Sequence, residues 1–296
     1  MVIVVTNTIH TVLFATDLAE NAPAALSYAG GIASLYGARL FLVHVLDPAA
    51  AKNGMDSSSS DLRHLAEGAK NELTCISQSV LAAQGLPGEV LVRYGNVRDT
   101  VFQLQQEHSV DLVVLSSSGR KNGRERGVGS IAEAILREMS CSVLIVGPKV
   151  KPRAVSTKTQ LVLFPTDFSK RSLGALSTAV SLTTKLSANL LLLHICNPYG
   201  PDSCFGHEAT CKKNLSEIAH SVEKQKIPVE QLVREGKVEA NILSVAKEKR
   251  ADFIIMGVHH GDLDDGTRLH GTVSEIVREA SCPIFTIVHE EKARLQ

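Results

Sequence analysis

Tryptophan is absent from this chain of 296 residues, and aromatic residues make up only 4% of it. Its hydrophobic cores must therefore be built from aliphatic side chains. Charge of one sign is not in excess either, because the formal net charge is zero. Proteins that bind nucleic acid over a broad surface usually carry a basic excess, so this composition argues against a nucleic-acid partner.

Long apolar runs and a cysteine framework are also missing. No run approaches the roughly 20 apolar residues that span a bilayer, and the apolar N-terminal stretch lacks the basic region and cleavage site of a signal peptide. The six cysteines are scattered and show no dense disulfide pattern. These features predict a cytoplasmic protein with reduced thiols and no membrane partner.

Five sequence blocks occur twice in the same order. The paired blocks are 12–18 with 162–168, 40–45 with 190–195, 92–95 with 233–236, 111–115 with 252–256, and 137–141 with 278–282. The first two pairs are 150 residues apart and the last three are 141 apart. The chain is therefore a tandem duplication, for which we predict a first domain at 1–148, a linker at 149–159 and a second domain at 160–296.

Short apolar runs alternate with longer helical patterns in each copy. The predicted strands are 12–15, 39–45, 89–93, 112–115 and 143–146 in the first copy, and 161–164, 189–195, 229–233, 253–256 and 284–288 in the second. The predicted helices of the first copy are 22–35, 61–84, 97–107 and 131–139. This alternation predicts an α/β fold with right-handed crossovers. We expect two tandem, doubly wound parallel sheets of five strands each, in the order 3-2-1-4-5.

The segment 111–130 carries the main functional signal. Ligands of such sheets bind beyond the carboxyl ends of the strands where the strand order reverses, here between strands 1 and 4. Segment 111–130 reads as strand 4, a polar glycine-bearing loop and the start of a helix, which together present backbone N–H groups and positive partial charge. The loop also contains four cations, which are Arg120, Lys121, Arg124 and Arg126. These features predict a phosphate-binding loop.

The repeated blocks resemble a tandem universal stress protein over nearly all of both halves. The ATP-binding branch of that family has G-x2-G-x9-G-(S/T) after strand 4, and the first copy has Ser116-x2-Gly119-x9-Gly129-Ser130. The spacing is intact, although Ser116 stands where the family has glycine. Strand 2 of each copy carries the family's histidine, His44 or His194. We expect each to be a buried residue with a satisfied hydrogen bond and not a catalytic base.

The resemblance implies an adenine nucleotide alpha hydrolase-like fold with ATP, and Mg²⁺ with it, in the first domain. It implies that Asp17 accepts hydrogen bonds from the adenosine, that the Val45 backbone contacts the adenine, and that the glycines wrap the phosphates. The implied nucleotide-binding residues are Ala15, Thr16, Asp17, Val45, Leu115, Ser116, Gly119, Gly129, Ser130 and Ile131. A purely structural interpretation stays open, in which Asp17 and Ser130 cap helices and the cationic loop is solvated.

The loop of the second copy can be aligned in two ways. A constant offset gives Gly257-x2-His260-x9-His270-Gly271, whereas one inserted residue gives Gly257-x3-Gly261-x9-Gly271-Thr272. In both alignments the loop is acidic, and carboxylates repel phosphate; its charged residues are Asp262, Asp264, Asp265 and Arg268. We expect this second site to be weaker or lost. Its candidate residues are Pro165, Thr166, Asp167, Ile195, Gly257, Gly261, Gly271 and Thr272.

A zinc site is the competing interpretation of the second copy. Cys204-x2-His207-x3-Cys211 follows strand 2, and three histidines, His259, His260 and His270, follow strand 4 at the same sheet edge. The spacing matches no standard zinc finger. A helix that starts near Cys204 would expose these side chains without bringing them together, so the sequence favours the absence of metal.

The functional prediction is a stress-response regulatory protein that binds an adenine nucleotide. The sequence offers no dedicated general base, so slow ATP hydrolysis with Mg²⁺ is the most that we expect. Two alternatives stay open. One is a nucleotide-free interaction scaffold whose terminal strands, 142–146 and 283–288, pair within the chain, with a homodimer as a further assembly. The other is a metal- or redox-responsive sensor that uses Cys204, His207 and Cys211.

Overall fold

The computed structural model describes residues 8–47, 59–81, 86, 88–117, 120–121, 124–125, 129–153, 155, 161–196, 208–258 and 272–288. The chain divides into two compact units, one formed by Ile9–Val155 and the other chiefly by Ser156–Gln296. Each unit is an α/β structure with one main parallel sheet. Within the described residues, no helix is both long and apolar enough to cross a membrane.

The first unit alternates strands and helices along its length. Its main strands are β1 (Thr11–Thr16), β2 (Arg39–Leu46), β3 (Gly88–Tyr94), β4 (Leu112–Ser116) and β7 (Ser142–Val146). Its helices are α1 (Ala22–Tyr36), α2 (Ser59–Leu81), α3 (Val97–Glu107) and α4 (Ser130–Glu138). The strands lie in the order β3-β2-β1-β4-β7, and all of the pairings are parallel. The predicted order 3-2-1-4-5 is confirmed.

The second unit repeats this order with its own five strands. They are β8 (Leu161–Pro165), β9 (Asn189–Cys196), β10 (Val229–Glu235), β11 (Phe253–Val258) and β12 (Ile284–Val288). Its helices are α5 (Lys170–Gly174), α6 (Leu176–Leu186), α7 (Glu208–Glu223), α8 (Val238–Glu248) and α9 (Thr272–Glu279). The strands lie in the order β10-β9-β8-β11-β12.

The central strands are buried on both faces. Every residue of β1 is buried, and so are Leu112–Leu115 of β4. This burial explains why the strand sequences are almost continuously apolar, since helices cover both faces of a doubly wound sheet.

An aspartate joins strands 1 and 4 in each unit. Asp111 Oδ2, just before β4, accepts the backbone N–H of Thr11 at 3.0 Å. Asp252 Oδ2, just before β11, accepts the backbone N–H of Leu161 at 3.0 Å. The aspartate repeated at the start of strand 4 therefore aligns the amino ends of the two central strands.

One local feature differs from the sequence prediction. The loop after β4 contains a short antiparallel hairpin, β5 (Arg120–Lys121) with β6 (Arg124–Glu125), where we expected no regular structure. The first helix of the second unit, for which no bounds were predicted from the sequence, is divided at Ala175 into α5 and α6. The predicted linker 149–159 stays a prediction. Two of its residues pack on the first unit. Val150 is buried, and Val155 packs so closely on Gly31 that a Cβ atom there would lie 2.4 Å from the Val155 Cβ.

Candidate functional site

The candidate site of the first unit lies beyond the carboxyl ends of β1 and β4. These strands are neighbours in register, with Ala15 opposite Leu115, and they end at Thr16 and Ser116. The chain leaves β1 toward β2 on one side and leaves β4 toward β7 on the other. The strand order therefore reverses between β1 and β4, which is the place where such sheets bind ligands.

A tight turn follows β1. Thr16 Oγ1 accepts the N–H of Leu18 at 3.0 Å, and Asp17 Oδ1 accepts the N–H of Ala19 at 3.0 Å. Leu18 is left-handed, with φ of 59°. The carboxylate of Asp17 therefore closes a turn and does not cap α1, whose N-cap residue is Asn21. Asp17 itself is exposed at the mouth of the crevice.

His44 fixes the end of β1 from the side of β2. Its Nδ1 lies 2.9 Å from the carbonyl oxygen of Thr16. A carbonyl oxygen can only accept, so Nδ1 carries the proton and donates it. This contact confirms that the strand-2 histidine has a satisfied hydrogen bond, although His44 is half-buried. The next residue, Val45, is buried.

Asn21 connects the start of α1 with the end of β4. Its Nδ2 donates to the carbonyl oxygen of Ser117 at 3.3 Å. Ser117 in turn donates its backbone N–H to Val146 O of β7 at 2.9 Å. Sequence reasoning missed this bridge, because no local pattern reveals a side-chain contact between residues 96 positions apart.

The loop after β4 leads into the amino end of α4. Gly129 is the N-cap residue, with φ of −57°. Because glycine has no side chain, it cannot cap the helix with a side-chain hydrogen bond. Ser130 is thus the first residue of α4 and not its cap. Ile131 in the first turn is 42% exposed. Gly119 and the side chain of Ser130 lie outside the described residues, and only the backbone hairpin of the cationic segment is described.

Among the described residues, a Cβ atom built on Gly129 would meet no atom within 4 Å. Its φ is also one that any residue adopts. The described part of the first unit therefore does not require glycine here. The first-turn N–H groups of a helix attract anions, and a glycine N-cap leaves room for one beside them.

The second unit reproduces the turn after its first strand. Thr166 Oγ1 accepts the N–H of Phe168 at 3.0 Å, and Asp167 Oδ1 accepts the N–H of Ser169 at 2.9 Å. Partial desolvation raises the pKa of Asp167, but hydrogen bonds from Ser169 and Ser172 outweigh it, so this pKa lies below its ordinary value. His194 Nδ1 donates to Thr166 O at 2.8 Å, as His44 does to Thr16.

The crevice of the second unit differs at the end of strand 4. A Cβ atom on Gly257 would lie 2.4 Å from the carbonyl oxygen of Arg171 and 3.0 Å from the Cα of Ser172. The backbone of α5 therefore packs directly on Gly257, and this packing explains why the position is glycine. Pairing between β8 and β11 is described only at Val162 and Leu163.

The hydroxyl of Thr272 is engaged by a carboxylate. Thr272 Oγ1 donates to Glu239 Oε1 of α8 at 2.8 Å. This bond joins α9 to α8 and places a negative charge at the start of α9. Among the other candidates of this site, Pro165 and Thr166 are buried and Ile195 is half-buried, whereas Gly261 and Gly271 lie outside the described residues.

The cysteine–histidine set proposed as a zinc site is described only at Cys211. Helix α7 begins at Glu208, and Cys204 and His207 lie outside the described residues. The expectation that Cys211 is exposed is wrong, because this side chain lies on the buried face of α7 with Leu215 and Ala219. Cys211 lies close to two residues of β9, His194 and Cys196, which the predicted zinc set did not include.

Comparisons with known proteins agree with the duplicated fold. The sequence model of the universal stress protein family matches residues 8–147 and again residues 158–288. The Universal stress protein MJ0577 of Methanocaldococcus jannaschii is 24% identical over 154 residues, which cover 47% of this chain and 94% of the relative. A universal stress protein of Thermus aquaticus is 27% identical and covers 46% of this chain, with 97% of its own length matched.

A solved structure extends the likeness to both units. The crystal structure of a universal stress protein from Archaeoglobus fulgidus has a TM-score of 0.75 and 20% sequence identity. The match covers 95% of this chain and 98% of that chain. At this identity the likeness concerns the fold.

Proposed function

Because the chain belongs to the universal stress protein family, we propose that this stress-response protein binds ATP in its first unit, beyond the carboxyl ends of β1 and β4. The observation that carries the proposal is the position of the glycine spacing. Ser116 is the last residue of β4, and Gly129 is the N-cap of α4. The motif that resembles the ATP-binding branch therefore begins at the end of β4 and ends at the amino end of α4, which supports a site at the strand-order reversal.

Open space at Gly129 supports the phosphate role. The glycine has no positive φ, and within the part of the chain that the structure describes it has no neighbour that would exclude a side chain. A glycine with no folding requirement is consistent with close approach of a ligand to the backbone. The first-turn N–H groups of α4 would then donate hydrogen bonds to phosphate oxygens.

Charge in the loop favours the same ligand. Segment 120–126 contains four cations and one carboxylate, Glu125. These cations would balance roughly three to four negative charges of a triphosphate. Asp17, which lies exposed on the opposite side of the reversal, is left to interact with the adenosine.

The second unit is expected to bind ATP weakly or not at all. Gly257 packs against the backbone of α5, and the Thr272 hydroxyl donates a hydrogen bond to Glu239. Its loop also contains three aspartates. Each feature opposes a triphosphate where the first unit favours one, so we expect one nucleotide per chain.

The test is the melting temperature of the full chain with and without ATP. At a concentration one hundred times Kd, a ligand stabilises the folded state by about 2.7 kcal/mol, which raises the melting temperature by several degrees. Gly129→Asp should abolish this shift, because it adds a negative charge while keeping a favourable N-cap. Gly129→Asn, with a neutral side chain of similar size, should weaken the shift less.

A matched pair of variants tests the choice of unit. Asp17→Asn keeps an oxygen for the turn to Ala19 but removes the charge, and we expect weaker ATP binding by calorimetry. Asp167→Asn, at the matching position of the second unit, should leave ATP affinity unchanged. The proposal fails if wild-type protein shows no shift at millimolar ATP, or if only Asp167→Asn weakens binding.

A further inference from the structure

Three buried metal-ligand side chains meet in the second unit. A ring nitrogen of His194 and the sulfur atoms of Cys196 and Cys211 all lie within 4.8 Å of one another. The three residues are 7%, 4% and 7% exposed, respectively. This is the one such group of three among the described residues.

The fold explains why these residues meet. His194 and Cys196 are two positions apart on β9, so their side chains leave the same face of the sheet. Cys211 lies in the first turns of α7 on the face that is buried with Leu215 and Ala219. Helix α7 covers that face of β9 and brings its cysteine to the histidine and cysteine of the strand.

The imidazole of His194 is held in place by a hydrogen bond and a ring contact. Its Nδ1 donates to Thr166 O at 2.8 Å, so Nε2 is the nitrogen whose lone pair can coordinate. Metal-binding histidines usually hold their second nitrogen in this way, by donation to a backbone carbonyl or carboxylate. The ring of Phe168 stacks on His194 with centroids 4.4 Å apart and limits its rotation further.

The first unit has the same histidine without the thiols. His44 makes the matching bond to Thr16, but Leu46 stands where the second unit has Cys196. The buried positions of α2 are Ala69, Leu73 and Ser77, with the spacing of Cys211, Leu215 and Ala219 in α7. The fold can therefore be built with Leu and Ala at these two places, and packing alone does not require cysteine.

We propose that His194, Cys196 and Cys211 bind one Zn²⁺ ion inside the second unit. Zinc is bound tetrahedrally by nitrogen at about 2.0–2.1 Å and by thiolate at about 2.3 Å. Small side-chain rotations would bring the three atoms to this spacing, and the fourth position would be filled by solvent or a further ligand. This inference is independent of ATP binding in the first unit.

The charge balance favours a divalent, thiophilic ion. Binding releases the two thiol protons to solvent, and two thiolates with a neutral imidazole then neutralise the dication. A neutral site is compatible with burial, whereas an isolated buried charge is not. Two sulfur ligands disfavour Mg²⁺ and Ca²⁺, which prefer oxygen.

The test uses the full chain, purified under reducing conditions and stripped of metal with a chelator. After dialysis against Zn²⁺, we expect about one bound zinc per chain by elemental analysis. Titration with Co²⁺ should give the thiolate charge-transfer band and the intense visible bands of a tetrahedral site. Cys196→Leu and Cys211→Ala copy the residues of the first unit and should each lose the zinc and the cobalt spectrum.

The matched control is Cys282→Ala in the same unit. Cys282 is buried outside the cluster, and desolvation raises the pKa of its thiol to about 12, so it should not contribute a thiolate. This variant should keep one zinc per chain. Melting temperatures in chelator show whether each variant is folded.

Three results would overturn the proposal. One is wild-type protein that binds no cobalt in tetrahedral geometry. Another is Cys196→Leu that retains one zinc, which would assign the metal to other ligands. The third is a Cys196–Cys211 disulfide found by mass spectrometry in protein that takes up no zinc after reduction.

Discussion

Gly257, near the end of β11, and Arg171 of α5 are in direct backbone contact, since a Cβ atom on Gly257 would lie 2.4 Å from the Arg171 carbonyl oxygen. Real Cβ atoms do not approach a backbone atom this closely, so any larger residue must displace the helix. The matching residue of the first unit is Ser116, so this contact is a difference between the two copies.

Gly257→Ala should destabilise the second unit. Overpacking of a tight contact costs about 1–3 kcal/mol in the free energy of unfolding. Calorimetric unfolding of the metal-free and nucleotide-free chain measures this cost. The control is Gly68→Ala in α2, where a Cβ atom meets no described atom within 4 Å and a gain of about 0.5–1 kcal/mol is expected. Equal effects of the two substitutions would disprove the packing explanation.

Ser187 ends α6 in a left-handed conformation that glycine adopts in the first unit. Its φ is 53°, and the matching Gly37 has φ of 66°. The N–H of Ala188 closes the helix end on Thr183 O at 3.0 Å, as Ala38 does on Ala33 O at 2.8 Å. A side chain in this region is strained, so Ser187→Gly should stabilise the second unit by about 0.5–1 kcal/mol.

The reciprocal change provides the control for this prediction. Gly37→Ser should destabilise the first unit by a similar amount, measured by urea denaturation of each variant. The explanation is wrong if both substitutions shift stability in the same direction.

The hydrogen bonds of Asp167 predict an acid-dependent loss of stability. Its folded-state pKa lies below the ordinary value of 3.8, although partial desolvation acts to raise it. The ionised carboxylate therefore stabilises the fold fully above the unfolded pKa, and this stabilisation is lost as the pH falls through the lower folded value. Ser169→Ala removes one hydrogen-bond donor and should raise the pKa of Asp167.

A carboxyl carbon NMR titration measures that pKa directly. Ser169 also caps α5 by accepting the N–H of Ser172 at 3.2 Å, so Ser169→Ala has a pH-independent cost as well. Only the difference in stability between neutral and acidic pH reports on Asp167. An unchanged pKa in this variant would show that the Ser172 hydroxyl and the turn N–H groups hold the carboxylate without the Ser169 hydroxyl.

The sequence predicted the frame of each unit because that frame depends on local and repeated patterns. Continuous apolar runs indicated the buried strands. The five blocks repeated in order implied that both units share one strand order, in which β1 and β8 are the central strands. The strand-2 histidine was interpreted as a structural residue, and its bond to Thr166 in the second unit agrees with this.

The parts that escaped prediction depend on contacts between distant residues. The sequence predicted that Gly257 belongs to a phosphate-binding loop, whereas the structure explains this glycine by its contact with the backbone of Arg171. The zinc motif was sought among residues close in sequence, whereas Cys211 meets His194 and Cys196 across a strand–helix interface. A histidine and a cysteine two apart at the end of a strand were the available signal, but only the position of α7 shows which residue completes the set.

The bond from a strand-2 histidine to the carbonyl oxygen at the end of strand 1 is kept in both units, at 2.9 Å for His44 and 2.8 Å for His194. Around it, the neighbouring residues have diverged. The two copies therefore share the geometry of their strand ends but differ in chemistry, because the loop after strand 4 and the residues beside the histidine are not the same in both. The same bond is therefore compatible with different neighbours, such as Leu46 in the first unit and Cys196 in the second.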